Sequence, residues 1–208
     1  MSLTGILDVL AADPGLADAL DAARTGPVGS RPELDLTAPA GVRPFVVAAL
    51  AERAGRPILL VTATGRETDD LTTALRSLLP EHAVADFPAW ETLPHERLSP
   101  RSDTVGRRLA VLRRLAHPNG SDPAHGPLQV VVAPIRSVLQ PMVAGLGELV
   151  PVAARPGDEV ELDEVVRQLA GAAYTHVDLV EKRGDFAVRG GLLDVFPPTE
   201  EHPLRVEF

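Results

Sequence analysis

With 208 residues the chain has room for one large domain or one and a half ordinary ones, and its 45% hydrophobic content suffices for a core that, at 3% aromatic, must be built from Leu, Val, Ala and Ile. The absence of Cys excludes disulfides, thiol catalysis and Cys-ligated zinc, and a net charge of −9 argues against a stand-alone nucleic-acid binder. The first ten residues carry no basic cluster, and no stretch approaches the roughly 20 apolar residues of a membrane span, so a soluble, cytoplasmic protein is expected.

The opening, around Ile6, Leu7, Leu10, Leu16 and Leu20, predicts short amphipathic helices, and residues 26–32 form a turn-rich break. Residues 33–38 alternate like a strand. Residues 45–56 are helical by period, and 57–62 are a continuous apolar run suited to a strand buried on both faces. A helix follows over 68–79, with Leu71, Leu75, Leu78 and Leu79 on one side, then a short strand over 83–87. Residues 104–116 predict a helix with Val105, Leu109, Leu112 and Ala116 inward; 117–127 are a surface loop; 128–133 form a second buried strand. Strands alternating with helices imply βαβ units, a parallel sheet and helices on both faces.

Near residue 138 the character changes, which divides the chain into domains over 1–138 and 139–208. A helix is expected over 161–172, begun at Glu161 or Asp163. Residues 177–180 and 186–189 flank Arg183-Gly184-Asp185, a hairpin signal, and 192–196 continue as strand past a bulge or bend at Gly190-Gly191. The final run, Leu204-Arg205-Val206-Glu207-Phe208, alternates and stops with no polar tail, so the second domain is expected to be incomplete at its C-terminal end.

An α/β sheet invites a search for a phosphate loop, which needs glycines for close backbone approach, Lys for the phosphates and Ser/Thr for magnesium. Around Gly41 and Arg43 the sequence reads Thr37-Ala38-Pro39-Ala40-Gly41-Val42-Arg43-Pro44, with no Lys, no hydroxyl after the glycine, and two prolines that remove N–H donors. The next candidate, Thr62-Ala63-Thr64-Gly65-Arg66-Glu67, puts a carboxylate where magnesium would need a hydroxyl. No nucleotide and no metal are therefore expected in this chain. The six His show no paired ligand spacing and read as scattered surface residues. The pairs Asp158-Glu159 and Asp163-Glu164 read as a polar turn and a helix start. The one basic cluster, Arg97, Arg101, Arg107, Arg108, Arg113 and Arg114, reads as a solvated helix face in preference to a phosphate-contacting one.

Two segments carry a family resemblance. Residues 87–100 (FPAWETLPHERLSP), followed by Asp103-Thr104-Val105-Gly106-Arg107-Arg108-Leu109, resemble the first domain of the transcription-repair coupling factors. Residues 183–197 (RGDFAVRGGLLDVFP), with Arg205-Val206-Glu207-Phe208, are similar to the second domain that this family shares with the excision-repair protein UvrB. The Pro/Ala/Arg-rich composition resembles the actinobacterial versions.

The resemblance implies a degenerate RecA-like domain that has lost its nucleotide site, interrupted by a small α+β domain that binds UvrA. UvrB's DNA-gripping hairpin is expected to be absent, since the chain's one Tyr is Tyr174. Residue by residue, the resemblance carries UvrA contacts onto Arg189 and Glu207, with His176 and Phe196 beside them. His176 and Ala187 stand where UvrB has arginines. The function implied is a UvrA-recruiting module without catalysis of its own. The intact family member would use ATP and magnesium to translocate on double-stranded DNA and displace stalled RNA polymerase. The competing reading is a nucleotide-binding or DNA-binding helicase-like domain.

Overall fold

The computed structural model describes residues 4–25, 33–92, 96, 98–118 and 126–208. The break expected at 26–32, Leu93, Pro94, His95 and Arg97 of the first motif, and the middle of the 117–127 loop lie outside these residues. The chain is mixed α/β and forms two compact units, residues 1–89 with 114–142, and residues 90–113 with 143–208.

The first unit is RecA-like: a three-stranded parallel sheet flanked by helices, with strand order β1-β3-β2, where β1 is Ile58–Thr62, β2 Val84–Asp86 and β3 Val130–Pro134. Helices α1 (Thr4–Ala11), α2 (Pro14–Thr25), α3 (Arg43–Ala54), α4 (Gly65–Arg76) and α6 (Ile135–Leu139) belong to it. Every residue of β3 is buried, as a central strand's continuous apolar run requires. Leu7 of α1, Val47, Ala48 and Ala51 of α3 and Leu75 of α4 pack with Leu79 against Val84, Val130 and Val132.

Local chemistry sets the helix ends. Gly55 closes α3 in the left-handed region at φ 61°, where a side chain would be strained. Thr64 opens α4 by accepting the N–H of Glu67 at 3.2 Å, a contact that typically stabilises by about 1 kcal/mol.

Three expectations change here. Residues 33–38 join no ladder among the described residues, and Leu34 and Leu36 stay exposed: alternation makes a strand only where a neighbouring strand accepts its hydrogen bonds. Among the described residues β1 lies at the edge of the sheet and is covered on one face, with Ile58 and Leu60 toward the core and Leu59 and Val61 exposed, whereas β3 is buried on both faces. In α5 (Ser102–Ala116) the buried residues are Thr104, Arg108 and Val111, one position round from the predicted inward face of Val105, Leu109, Leu112 and Ala116. On that face Arg108 lies over the Trp90 ring.

The second unit holds α7 (Leu162–Gly171) and a four-stranded sheet in the order β4-β5-β6-β7, formed by Thr175–His176, Asp185–Arg189, Leu192–Val195 and Leu204–Glu207. Val165 and Leu169 of α7 pack on Phe186, Leu193 and Val195, with Val188 and Val206 alongside. The expected hairpin around Arg183-Gly184-Asp185 does not form. β4 runs parallel to β5, and 177–180 are not a strand. The hairpin joins β5 to β6 instead, and the expected bulge at Gly190-Gly191 is its two-residue turn, closed by the pair Arg189↔Leu192 with Gly190 at φ 63°. Gly191 also has a reason to lack a side chain: a Cβ there would lie 3.1 Å from the Phe208 carbonyl.

Candidate functional site

Strand alternation sorts β5, β6 and β7 into two faces. Phe186, Val188, Leu193, Val195 and Val206 point to α7. The other face is built from cross-strand rows. At the hairpin end, Arg189, Leu192 and Glu207 are in register; one row further in are Ala187, Asp194 and Arg205. Arg189 and Glu207 are exposed and Leu192 is half-buried between them. Neighbouring strands stand about 4.8 Å apart, so the two charged residues are separated by about 10 Å at the backbone.

Each charge has a distinct setting. One amino group of Arg189 donates to the Asp178 carbonyl, which holds the guanidinium toward the β4 side. Arg205 grips Asp194 with two hydrogen bonds, Nε to Oδ1 at 2.6 Å and an amino group to Oδ2 at 2.8 Å. That contact holds the Asp194 carboxyl below the usual carboxylate range, with the positive charges of Arg205 and Arg189 acting in the same direction. It raises Arg205 in turn, with Glu207 adding to the effect. The Glu207 side chain makes no hydrogen bond or close ion pair among the described residues, although its charge acts on Arg205.

Arg189 and Glu207 thus fall in one row, while the other two predicted residues lie elsewhere. His176 is on the α7 side of the sheet, stacked on Phe186 with ring centroids 5.0 Å apart. Phe196 directly follows β6 at the far end from the turn and carries the Arg183 guanidinium 5.0 Å over its ring. Sequence reasoning missed Leu192, Asp194 and Arg205 as members of this face. Their opposite charges were visible, but only the register of β6 with β7 sets them against each other.

The loop around Gly41 and Arg43 does not fit a nucleotide phosphate. Residues 40–42 form a single 3-10 turn, and Arg43 begins α3 with its guanidinium 3.1 Å from the Glu67 carboxylate. The other oxygen of Glu67 accepts the Ala63 N–H at 3.1 Å. A carboxylate therefore occupies the start of α4, the place of a phosphate in the second candidate loop, and neutralises the one cation of the first. No group of three or more His, Cys, Asp or Glu suited to a metal is found among the described residues.

Among the described arginines of the basic cluster, Arg108 alone departs from the solvated-face reading, while Arg101 and Arg107 keep side chains 72% and 42% exposed beside Asp103. Arg108 is 1% exposed and lies 4.1 Å over the Trp90 ring; burial lowers its pKa. Arg101 and Arg107 reach Asp103, Arg113 donates to the Leu149 carbonyl at 2.8 Å, and Arg114 donates to the carbonyls of His82 and Gly126. These guanidiniums are spent on the protein's own backbone, carboxylates and indole. In the same segment Thr104 donates to Glu91. Burial alone would raise the Glu91 pKa, but the hydrogen bonds from Thr104 and from backbone N–H groups outweigh it and leave the pKa lowered.

Comparison with known proteins bears on the second unit first: residues 152–208 match the family described as the UvrB interaction domain. Over 181 residues the chain is 57% identical to the transcription-repair-coupling factor of Mycobacterium tuberculosis, covering 86% of this chain and 14% of that protein. It is 31% identical over 168 residues to the Bacillus subtilis transcription-repair-coupling factor, covering 79% of this chain and 13% of that protein. It is also 31% identical over 170 residues to the UvrABC system protein B of Streptomyces avermitilis, covering 76% of this chain and 23% of that protein. The chain therefore spans about one seventh of the length of the coupling factors it matches. On these matches and on its RecA-like unit with a separate small sheet, the chain belongs to the transcription-repair-coupling factor family, as a segment that carries a UvrB interaction domain.

Proposed function

We propose that this chain is a UvrA-recruiting module of nucleotide excision repair, acting in the cytoplasm without catalysis of its own, and that the β5–β6–β7 face opposite α7 is the recruiting surface. The observation that carries the reading is the exposed row Arg189–Leu192–Glu207: a cation and an anion flank an apolar residue on a face that α7 does not cover. Arg offers a planar fork of donors that can take a carboxylate in two hydrogen bonds, and Glu207 offers an uncommitted acceptor. The family match over 152–208 supports the same region. The whole protein would add what this chain lacks, namely an ATP- and magnesium-dependent motor on double-stranded DNA that displaces stalled RNA polymerase.

His176 and Phe196 take lesser parts in this reading, since their rings are already stacked on Phe186 and under Arg183. Calorimetric titration of the chain into UvrA tests the proposal. Saturable binding that Arg189→Ala weakens supports it; no binding at micromolar concentrations refutes it.

A further inference from the structure

Arg205 has two carboxylates within its range. Asp194 stands directly opposite on β6, and Glu207 lies two residues along β7 on the same face, about 7 Å away at the backbone. The guanidinium hydrogen-bonds Asp194, at 2.6 and 2.8 Å, and feels the Glu207 charge without a hydrogen bond to it. Its side chain is 60% exposed, so nothing in the packing stops it from swinging along the strand. Asp194 in turn faces Ala187 on β5, and the cation of that strand, Arg189, lies one row away and donates to the Asp178 carbonyl.

We propose that Asp194 is a positioning residue of the partner-binding face: by holding Arg205 in two hydrogen bonds it keeps that cation off Glu207 and leaves the Glu207 carboxylate open to a Lys or Arg of the partner. The proposal rests on the reading of this face as the UvrA-binding surface and adds the chemistry of the contact. A carboxylate already paired with a neighbouring Arg must be stripped of it before a partner's cation can bind, and the gain is then largely cancelled. The two-bond grip on Asp194 is the stronger competitor, because both oxygens and two donors align at once. The partner patch is then of mixed sign: a cationic side chain at Glu207 and a carboxylate at Arg189, about 10 Å apart across Leu192.

The test is a set of calorimetric titrations of UvrA with the full chain and its variants. Asp194→Asn, which frees Arg205 to move onto Glu207, should bind about tenfold more weakly than the parent. The double variant Asp194→Asn with Arg205→Gln removes the competitor and should recover most of the lost affinity, although it lacks the same ion pair. A merely structural role for the pair predicts the reverse, with the double variant at least as impaired as the single one. A readout without partner runs alongside: the side-chain carboxyl carbon signal of Glu207 at neutral pH should move in Asp194→Asn and return toward the parent position in the double variant. A parent chain that binds UvrA, with a double variant no better than Asp194→Asn or a Glu207 signal that stays fixed, overturns this proposal alone. A parent chain that does not bind UvrA overturns the functional reading and this proposal with it.

Discussion

Arg189 and Glu207 pair in register with the same residue, Leu192, from its two sides, so residues on separate strands become the ends of one exposed row. Truncating a central interface Arg commonly costs about 2 kcal/mol, or roughly thirtyfold in affinity. Arg189→Ala is expected to weaken UvrA binding by about that factor while leaving the thermal midpoint close to the parent's, because the side chain is exposed and its hydrogen bond goes to a surface carbonyl. Arg189→Glu should be worse, since repulsion adds to the lost contact. Arg66→Ala, an exposed arginine on α4, serves as the control and should change nothing. Variants that lose binding only in step with unfolding would make Arg189 a structural residue.

The Arg43–Glu67 contact makes a second prediction, for nucleotide. With the Glu67 carboxylate bound to Arg43 and to the Ala63 N–H, the entrance to α4 is already filled by negative charge. Equilibrium dialysis with ATP and magnesium should therefore give no binding in the micromolar range. Glu67→Ser should not create it, because the Lys that a phosphate loop needs is still missing. Magnesium-dependent ATP binding by the parent chain would contradict this directly.

Much of the fold is legible in the sequence where one residue's environment decides the outcome. The Val130-Val131-Val132-Ala133 run can only suit a strand covered on both sides, and the leucines of α4 recur at helical spacing. Pairing is where legibility ends. Arg183-Gly184-Asp185 has turn chemistry as good as that of Gly190-Gly191, and nothing local tells that Val177 donates to the Phe186 carbonyl in a parallel ladder instead of folding back. The site shows the same limit. Arg189 and Glu207 stand out in their motifs, but the Asp194–Arg205 pair exists only through the register of β6 and β7. Arg108 was misread for a related reason: the helix pattern fits two faces one residue apart, and the ring that Arg108 meets, Trp90, lies outside the helix.

Acid should expose the Asp194–Arg205 pair. The carboxyl's folded pKa is depressed by Arg205, so its contribution to stability is present above the unfolded value of about 3.9 and is lost as pH falls through the folded value. Glu164 is shifted in the same direction by its hydrogen bonds from Gln168 and Arg167. The urea midpoint of the parent should exceed that of Asp194→Asn at neutral pH, and the gap should narrow progressively as pH falls below about 4. Arg205 is exposed and Asp194 half-buried, so solvent screening is expected to keep the gap small. A gap that is the same at low pH as at neutral pH would mean that Asn disturbs the sheet by some route other than the lost charge.

The glycine of the first motif gives the sharpest stability prediction. Gly106 lies inside α5, where Gly is a poor helix former, and Ala in its place should be favourable by about 1 kcal/mol on propensity alone. Packing reverses the sign. A Cβ at Gly106 would lie 2.5 Å from the Cβ of Pro198, with Thr199 Cγ2 and the Pro198 carbonyl carbon at 3.4 and 3.5 Å. A proline ring cannot rotate aside as a flexible side chain would, so either the helix or the segment after β6 must move. Overpacking of this kind costs about 1–3 kcal/mol, and Gly106→Ala is therefore expected to lower the urea midpoint despite its better helix propensity. Pairing it with Pro198→Gly removes the obstructing ring and should return part of the loss, because the two changes act on one contact. A Gly106→Ala variant as stable as the parent would show that the approach of α5 to Pro198 is looser than the 2.5 Å contact implies.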